Sequence, residues 1–140
     1  AEEQYLAARA LAAQIYFDTG RNAAIAALDD GFSDHFAAVE QMRAKCDKRR
    51  RFMVDFFNQN GMPCFEPRGA SYAYPSVEGL GVTGEEFANR LLRAEKVAAV
   101  PGDAFGEAGK FHVRCSYATG MSSLDEATKR IARYVKTLQN

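Results

Sequence analysis

Residues 111–118 read Phe-His-Val-Arg-Cys-Ser-Tyr-Ala, and their alternation predicts a β-strand. Apolar and polar residues take turns from Phe111 to Tyr117, as in a strand that buries one face of a sheet. The polar residues of the alternation are His112, Arg114 and Ser116. The stretch therefore predicts a sheet with one apolar, covered face and an arginine on the opposite face.

Other strand patterns lie upstream of this segment. Residues 62–66 and 71–76 predict two strands, and the Pro-Arg-Gly sequence at 67–69 predicts the turn between them. Residues 97–100 predict a short buried strand that stops at a Pro-Gly pair. Together with residues 111–117, these segments predict a small sheet of three to four strands.

The first part of the chain is predicted to be helical. Residues 2–18 and 21–29 are rich in alanine and predict two helices. The Thr19-Gly20 pair between them predicts a stop, because glycine accepts the left-handed conformation that follows a helix end.

A long third helix is predicted over residues 33–60. Ser33 or Asp34 is its candidate N-cap, and Asn60-Gly61 is its predicted end. Its apolar residues recur with a period close to 3.6, and they are Phe36, Val39, Met42, Cys46, Met53, Phe56 and Phe57.

Two capping boxes predict the starts of two more helices. Thr83 and Glu86 form the first box, and Ser123 and Glu126 form the second. The order of elements predicts an α+β fold with two layers, in which helices cover the small sheet. The length of 140 residues predicts a single domain over residues 1–140.

Composition excludes several classes of partner. Eighteen basic residues balance eighteen acidic ones, so we expect no nucleic-acid partner, since phosphate binding needs clustered excess positive charge. No apolar run approaches the roughly 20 residues of a membrane span, so we expect no membrane partner. A net charge of zero favours self-association, which predicts a homo-oligomer.

The cysteines indicate the redox environment. The chain has three of them, an odd number with wide spacings, and they match neither a zinc site nor a disulfide framework. We therefore expect reduced thiols, no bound metal and a cytoplasmic location.

Three stretches, taken together, resemble a known family. They are residues 64–76, 95–106 and 111–118. In this order and at these spacings they resemble the C-terminal small domain of the pyridoxal-phosphate (PLP) aminotransferases of the aspartate and aromatic type. The family-like part covers residues 22–138, and the resemblance implies that residues 33–60 form the long interdomain helix. It also implies that the parent enzyme uses PLP, held by a lysine of the large domain.

The resemblance assigns a role to Arg114. By its Val-Arg-Cys-Ser-Tyr-Ala context it corresponds to the family arginine that holds the substrate α-carboxylate, and a planar guanidinium suits a bidentate grip. The alternative is a partly exposed strand arginine that pairs with a nearby acid. Tyr72 is a candidate for lining the same pocket, although we favour a tyrosine that packs on the sheet.

Other motifs are interpreted structurally. Residues 101–106 lack the Gly-Lys-Ser/Thr ending of a phosphate-binding loop, so we interpret them as a glycine-rich connector. The basic run 48–51 is interpreted as a solvated helix face. A nucleophilic pair of Cys64 or Cys115 with a histidine stays open, but buried structural cysteines are favoured.

The chain lacks what catalysis in this family requires. None of its lysines has the Ser-Lys context of the Schiff-base residue, so we expect no catalytic residue and no cofactor-binding residue here. Residues 1–20 do not match the expected upstream sequence. We interpret them as an added or redesigned helix that covers an exposed apolar face.

The resulting prediction is a non-catalytic, isolated or engineered small domain that acts as a stable scaffold or assembly unit. One alternative is a minimal or partial PLP-dependent aminotransferase. Another is a regulatory fragment that binds amino or keto acids through Arg114. We expect weak or no small-molecule binding, since a lone exposed arginine holds a free carboxylate weakly in water.

Overall fold

A computed structural model of the chain describes residues 18–26 and 36–139. The chain divides into two compact units, Ala1–Arg43 and Ala44–Asn140, and each is described by itself. A single domain over residues 1–140 stays a prediction. Among residues 18–26 and 36–139, we find no helix that combines the length and the hydropathy of a membrane span.

Helix α1 of the first unit includes residues 18–26. The predicted stop at Thr19-Gly20 is wrong, because both residues lie inside this helix. A glycine inside a helix costs only about 1 kcal/mol relative to alanine, and the alanines that follow it are strong helix formers. An ion pair between Asp18 and Arg21, 3.2 Å long and three residues apart, supports the helix across the glycine.

Helix α2 runs from Ala37 to Gln59. Its candidate caps, Ser33 and Asp34, lie outside the described residues. In the first unit, Val39 and Met42 of the predicted apolar stripe are exposed. In the second unit, Met53 and Phe57 of the same stripe are buried in the core.

The end of α2 lies where the sequence predicts it. Gly61 has a left-handed backbone with φ of 72°. The N–H of Met62 donates to the carbonyl of Phe57 at 3.0 Å, and this bond satisfies one of the last carbonyls of the helix. The prediction of an Asn-Gly stop is therefore confirmed.

The predicted strand over residues 62–66 is wrong, because this segment has no regular secondary structure. The side chain of Asn58, near the end of α2, makes the backbone hydrogen bonds that a neighbouring strand would make. It accepts from the N–H of Cys64 at 2.9 Å and donates to the carbonyl of Cys64 at 3.2 Å. Pro63 has no N–H to offer to a ladder, so side-chain hydrogen bonds replace β-pairing here.

The sheet of the second unit has three short antiparallel strands. They are β1 (Tyr72–Ala73), β2 (Val100–Pro101) and β3 (Val113–Ser116). Strand β3 lies in the middle, so the spatial order is β1-β3-β2. Tyr72 lies opposite Ser116, and Val100 lies opposite Arg114.

Two helices follow in the second unit, α3 (Gly84–Glu95) and α4 (Met121–Leu138). Helix α3 packs on β2 and β3, and α4 packs on α3. The apolar face of β3, formed by Val113 and Cys115, is buried beneath these layers. The prediction of an α+β fold with a small sheet covered by helices is confirmed.

The two predicted capping boxes have different outcomes. Thr83 and Glu86 make both reciprocal hydrogen bonds at the start of α3. The predicted cap at Ser123 is wrong, because α4 already begins at Met121 and Gly120 precedes it. Glu126 pairs with Arg130 at 2.8 Å, one turn ahead. Because α4 begins two residues before Ser123, Glu126 lies inside the helix, where it forms an i,i+4 ion pair and not a cap.

The box at α3 makes stability depend on pH. The Thr83 N–H and hydroxyl bind the Glu86 carboxylate and lower the pKa of Glu86 below its ordinary value. The box therefore stabilises the fold fully above the unfolded pKa of glutamate, and this contribution is lost as pH falls through the lower folded pKa. We expect Glu86→Gln, which keeps an acceptor but cannot titrate, to show a shallower loss of stability between about pH 5 and pH 2.

The measurement is urea unfolding by circular dichroism at a series of pH values. Glu85→Gln is the matched control, because Glu85 is the neighbouring exposed glutamate and takes no part in the box. Equal pH slopes for the wild-type chain and Glu86→Gln would contradict the prediction.

Candidate functional site

The polar face of β3 carries Arg114 in the centre of the sheet. Alternation along the strand buries Val113 and Cys115 on one side and directs Arg114 to the other, where it is half-buried. Tyr72 of β1 lies on the same face, because it is the partner of Ser116, two residues along. The register therefore brings the two sequence-predicted site residues together.

Two aromatic rings stack on the guanidinium of Arg114. The ring centroid of Tyr72 is 4.4 Å from Cζ, and that of Phe105 is 4.6 Å from it. Tyr72 belongs to β1, and Phe105 follows β2, and these strands lie on opposite sides of β3. Among the described residues, the Arg114 side chain has no ion pair and no hydrogen bond. Its N–H groups are therefore free to bind an anion.

Phe105 was missed by the sequence analysis, which interpreted residues 101–106 as a connector. The stretch is a short 3₁₀ helix, Gly102–Phe105, and a second one follows at Glu107–Gly109. Phe105 is 55% exposed although it is a large apolar residue. The sequence did offer one signal for Phe105 as a site residue, because an aromatic residue lies there between glycines in a loop after a strand.

Close packing of two glycines sets the position of this loop. A side chain at Gly102 would come within 2.7 Å of the His112 carbonyl oxygen, and one at Gly109 would overlap the backbone of Gly102. The Gly102 N–H donates to the His112 carbonyl at 2.8 Å, and the Tyr74 hydroxyl donates to the Gly102 carbonyl at 3.1 Å. The loop that carries Phe105 is thus tied to the sheet independently of Arg114.

His112 lies next to Arg114 on the polar face. Its ring stacks on that of Tyr74, with centroids 4.9 Å apart and planes 8° from parallel. Its Nδ1 is buried and has no hydrogen-bond partner among the described residues. The polar face therefore holds two stacks side by side, one on Arg114 and one on His112.

The thiols are not set up as nucleophiles. Burial, with Cys64 nearby as a smaller cause, raises the pKa of Cys115 to about 12. Burial also raises the pKa of Cys64. Since the thiolate is the reactive form, both groups are unreactive at neutral pH. His112 also points to the face of β3 opposite Cys115, which supports the structural interpretation of these cysteines.

The basic run 48–51 is more than a solvated face. The Arg50 side chain is only 15% exposed, and it binds Asp47 at 2.6 Å and also Glu66. These contacts lower the pKa of both carboxyls and raise that of Arg50, the hydrogen bonds to Arg50 being the largest cause. Arg51 pairs with Asp47 at 2.8 Å. Asp47 and Glu66 therefore pair with two of the four basic residues of the run, Arg50 and Arg51.

The lysines of this chain do not fit the Schiff-base role that PLP chemistry requires. A Schiff-base lysine needs a desolvated or otherwise perturbed setting, so that its amine is neutral and nucleophilic. The lysines of this chain are all exposed, and they are Lys45, Lys48, Lys96, Lys110, Lys129 and Lys136. Lys129 pairs with Asp125 at 2.6 Å, and Lys96 donates to the Arg93 carbonyl at 2.9 Å. No chemical step through that cofactor follows from these residues.

Comparison with known proteins identifies relatives of the chain. It is 42% identical to an aspartate aminotransferase of Pyrococcus abyssi over 99 residues, which is 71% of this chain and 25% of that enzyme. It is 40% identical to aromatic-amino-acid aminotransferase 2 of Thermococcus litoralis, again over 71% of this chain and 25% of the relative. The chain thus spans about a quarter of the length of these curated relatives.

A solved structure shares the fold. The aromatic aminotransferase of Pyrococcus horikoshii superimposes with a TM-score of 0.72 at 40% identity, covering 74% of this chain and 28% of that one. These relatives give no support to an engineered origin.

The family described as aminotransferase class I and II has a sequence profile that matches residues 3–131. The match begins within residues 1–20, which the sequence analysis set outside the family-like part. It covers most of the chain, and the chain therefore belongs to the class I and II aminotransferases.

Proposed function

We propose that this part of an aminotransferase binds the α-carboxylate of an amino or keto acid through Arg114, and that it performs no chemistry by itself. The observation that carries the proposal is the stacked guanidinium, which has no polar partner among the described residues. The substrates of the whole enzyme are inferred only by analogy with the relatives. The relatives are named for aspartate and for aromatic amino acids, and both kinds of substrate carry an α-carboxylate.

The chemistry of the guanidinium supports this role. Its planar fork matches the two oxygens of a carboxylate, and paired charge-assisted hydrogen bonds are stronger than neutral ones. The groups that pack on the Arg114 guanidinium are the rings of Tyr72 and Phe105, so no acid competes with the ligand in the described structure. A single half-buried arginine at the surface still gives only weak affinity in water, so binding by the isolated chain is expected to be weak.

Arg114→Leu tests the binding role. We expect pyruvate to shift the Arg114 Nε–Hε NMR signal of the full chain. The backbone amide signals of β3, which both proteins have, should show at least about a tenfold loss of affinity in the variant, since hydrogen bonds to charged groups contribute about 1.5–3 kcal/mol. The control is Arg93→Leu, which removes another exposed arginine, on α3. Pyruvate that leaves the wild-type Arg114 signal unshifted would refute the binding role.

Incubation with PLP tests the absence of chemistry. We expect no borohydride-stable adduct at one particular lysine and no transamination by the purified polypeptide, because every lysine is exposed. Mass mapping after reduction is the measurement. A single labelled lysine together with turnover would favour the alternative of a minimal PLP-dependent aminotransferase.

A further inference from the structure

We propose that Tyr72 and Phe105 are positioning residues that hold the guanidinium plane of Arg114 between their rings, so that a carboxylate meets only its edge. The inference rests on the proposed carboxylate-binding function and adds two residues to it. The rings act on the ligand only through the arginine, by restricting the orientations that its side chain can take.

The two contacts are independent of each other in the fold. Tyr72 is placed by its pairing with Ser116 in the sheet, whereas Phe105 is placed by the glycine-packed loop after β2. Both rings nevertheless lie within 4.6 Å of the same Cζ atom. Two separate elements therefore converge on one cation.

The exposure of the two rings argues against a simple packing role. Tyr72 is 41% exposed and Phe105 is 55% exposed, so neither ring fills the core. Cation–π contacts favour arginine over the face of an aromatic ring. Each ring makes a cation–π contact with the same guanidinium, which is the group that we propose they position.

Stacking changes what a ligand encounters. A free arginine side chain is long and flexible, and ordering it opposes binding. With two aromatic rings packed close to the guanidinium, the directions left for polar binding are those of its N–H groups, in the plane of the fork. A carboxylate then finds its partner already oriented, which is the general advantage of preorganisation.

Three variants of the full chain test the proposal. Tyr72→Leu and Phe105→Leu remove one ring each, and Tyr72→Phe removes only a hydroxyl that has no described hydrogen bond. The first readout is the ¹⁵N order parameter of the Arg114 Nε–Hε bond without ligand. We expect each leucine variant to lower it from the rigid range of about 0.85 towards about 0.6, and Tyr72→Phe to leave it unchanged.

The second readout is the dissociation constant of pyruvate, followed at the same NMR signal. We expect each leucine variant to weaken binding roughly two- to fivefold, the size of one exposed cation–π contact, and Tyr72→Phe to bind like the wild type. Unfolding midpoints in urea check that all variants are folded.

The outcomes separate this inference from the function on which it rests. Unchanged order parameters in both leucine variants overturn the inference, whether or not pyruvate binds. Lower order parameters with an unchanged dissociation constant also overturn it, since the ordering would then serve no ligand. If the leucine variants lower the order parameter but pyruvate does not bind even the wild-type chain, the rings do order Arg114, and the proposed function is what the experiment refutes.

Discussion

Gly109→Ala is expected to destabilise the second unit by about 3 kcal/mol, the upper end of what overpacking in a closely packed site costs. The added methyl group would overlap the Gly102 carbonyl and the Tyr74 hydroxyl. The Gly102 carbonyl is backbone, and the Tyr74 hydroxyl is held by its hydrogen bond to that same carbonyl. Neither group can move away without breaking the contacts that tie the loop to the sheet.

Gly109→Ala is also expected to change the environment of Arg114. Any outward movement of residues 102–109 carries Phe105 away from Arg114, so the Arg114 Nε–Hε signal should shift in the variant. Urea unfolding gives the loss of stability, and NMR gives the change at the arginine. The control is Gly69→Ala, because a methyl group at Gly69 meets nothing within 4 Å.

Similar free energies of unfolding for Gly109→Ala and Gly69→Ala would contradict the prediction. If Gly109→Ala lies within about 0.5 kcal/mol of Gly69→Ala, the loop is able to relax and is not held as the structure describes it. In that case the loop would not hold Phe105 in a defined position next to Arg114.

Phe57→Ala is expected to destabilise the second unit by about 4 kcal/mol, within the range of large-to-small substitutions of buried aromatic residues. Phe57 on α2 is completely buried in the core. Its removal takes away apolar burial and leaves a cavity next to Phe56, whose ring packs edge-on against it at 5.3 Å. Neighbouring side chains can fill such a space only in part.

Phe65→Ala is the matched control for this second prediction. It makes the same chemical change at a residue that is 67% exposed, so its effect should lie within about 0.5 kcal/mol. Chemical denaturation followed by circular dichroism measures both variants. Similar losses at positions 57 and 65 would mean that Phe57 is not buried in the core as the structure describes it.

Local patterns predicted a large share of the fold. The alternation in residues 111–118 depends only on the two-residue period of a strand, and it placed Arg114 on the polar face correctly. The stop at Asn60-Gly61 and the capping box at Thr83 are local as well, because each is completed by residues a few positions away. The resemblance to aminotransferases followed from motifs of the same kind, and the family match confirms it.

Two of the wrong predictions, the strand over residues 62–66 and the cap at Ser123, fail because the residues have other partners or another helix start than the local pattern shows. Residues 62–66 have a strand-like composition, but Asn58 binds the backbone that a strand would offer. Ser123 has the spacing of a cap, but α4 begins before it, and Glu126 binds Arg130. Propensity is a weak signal wherever a tertiary or neighbouring contact is stronger.

The amino-acid sequence by itself determined the family, the α+β class and the side of the central strand on which Arg114 lies, because these depend on short-range periodicity and on motifs in a given order. Only the tertiary structure decided what surrounds that arginine. Phe105 and Tyr72 meet the guanidinium because two glycines let a loop lie against the sheet and because β3 lies between β1 and β2. Contacts between residues far apart in the chain depend on packing and strand order, which no local pattern encodes.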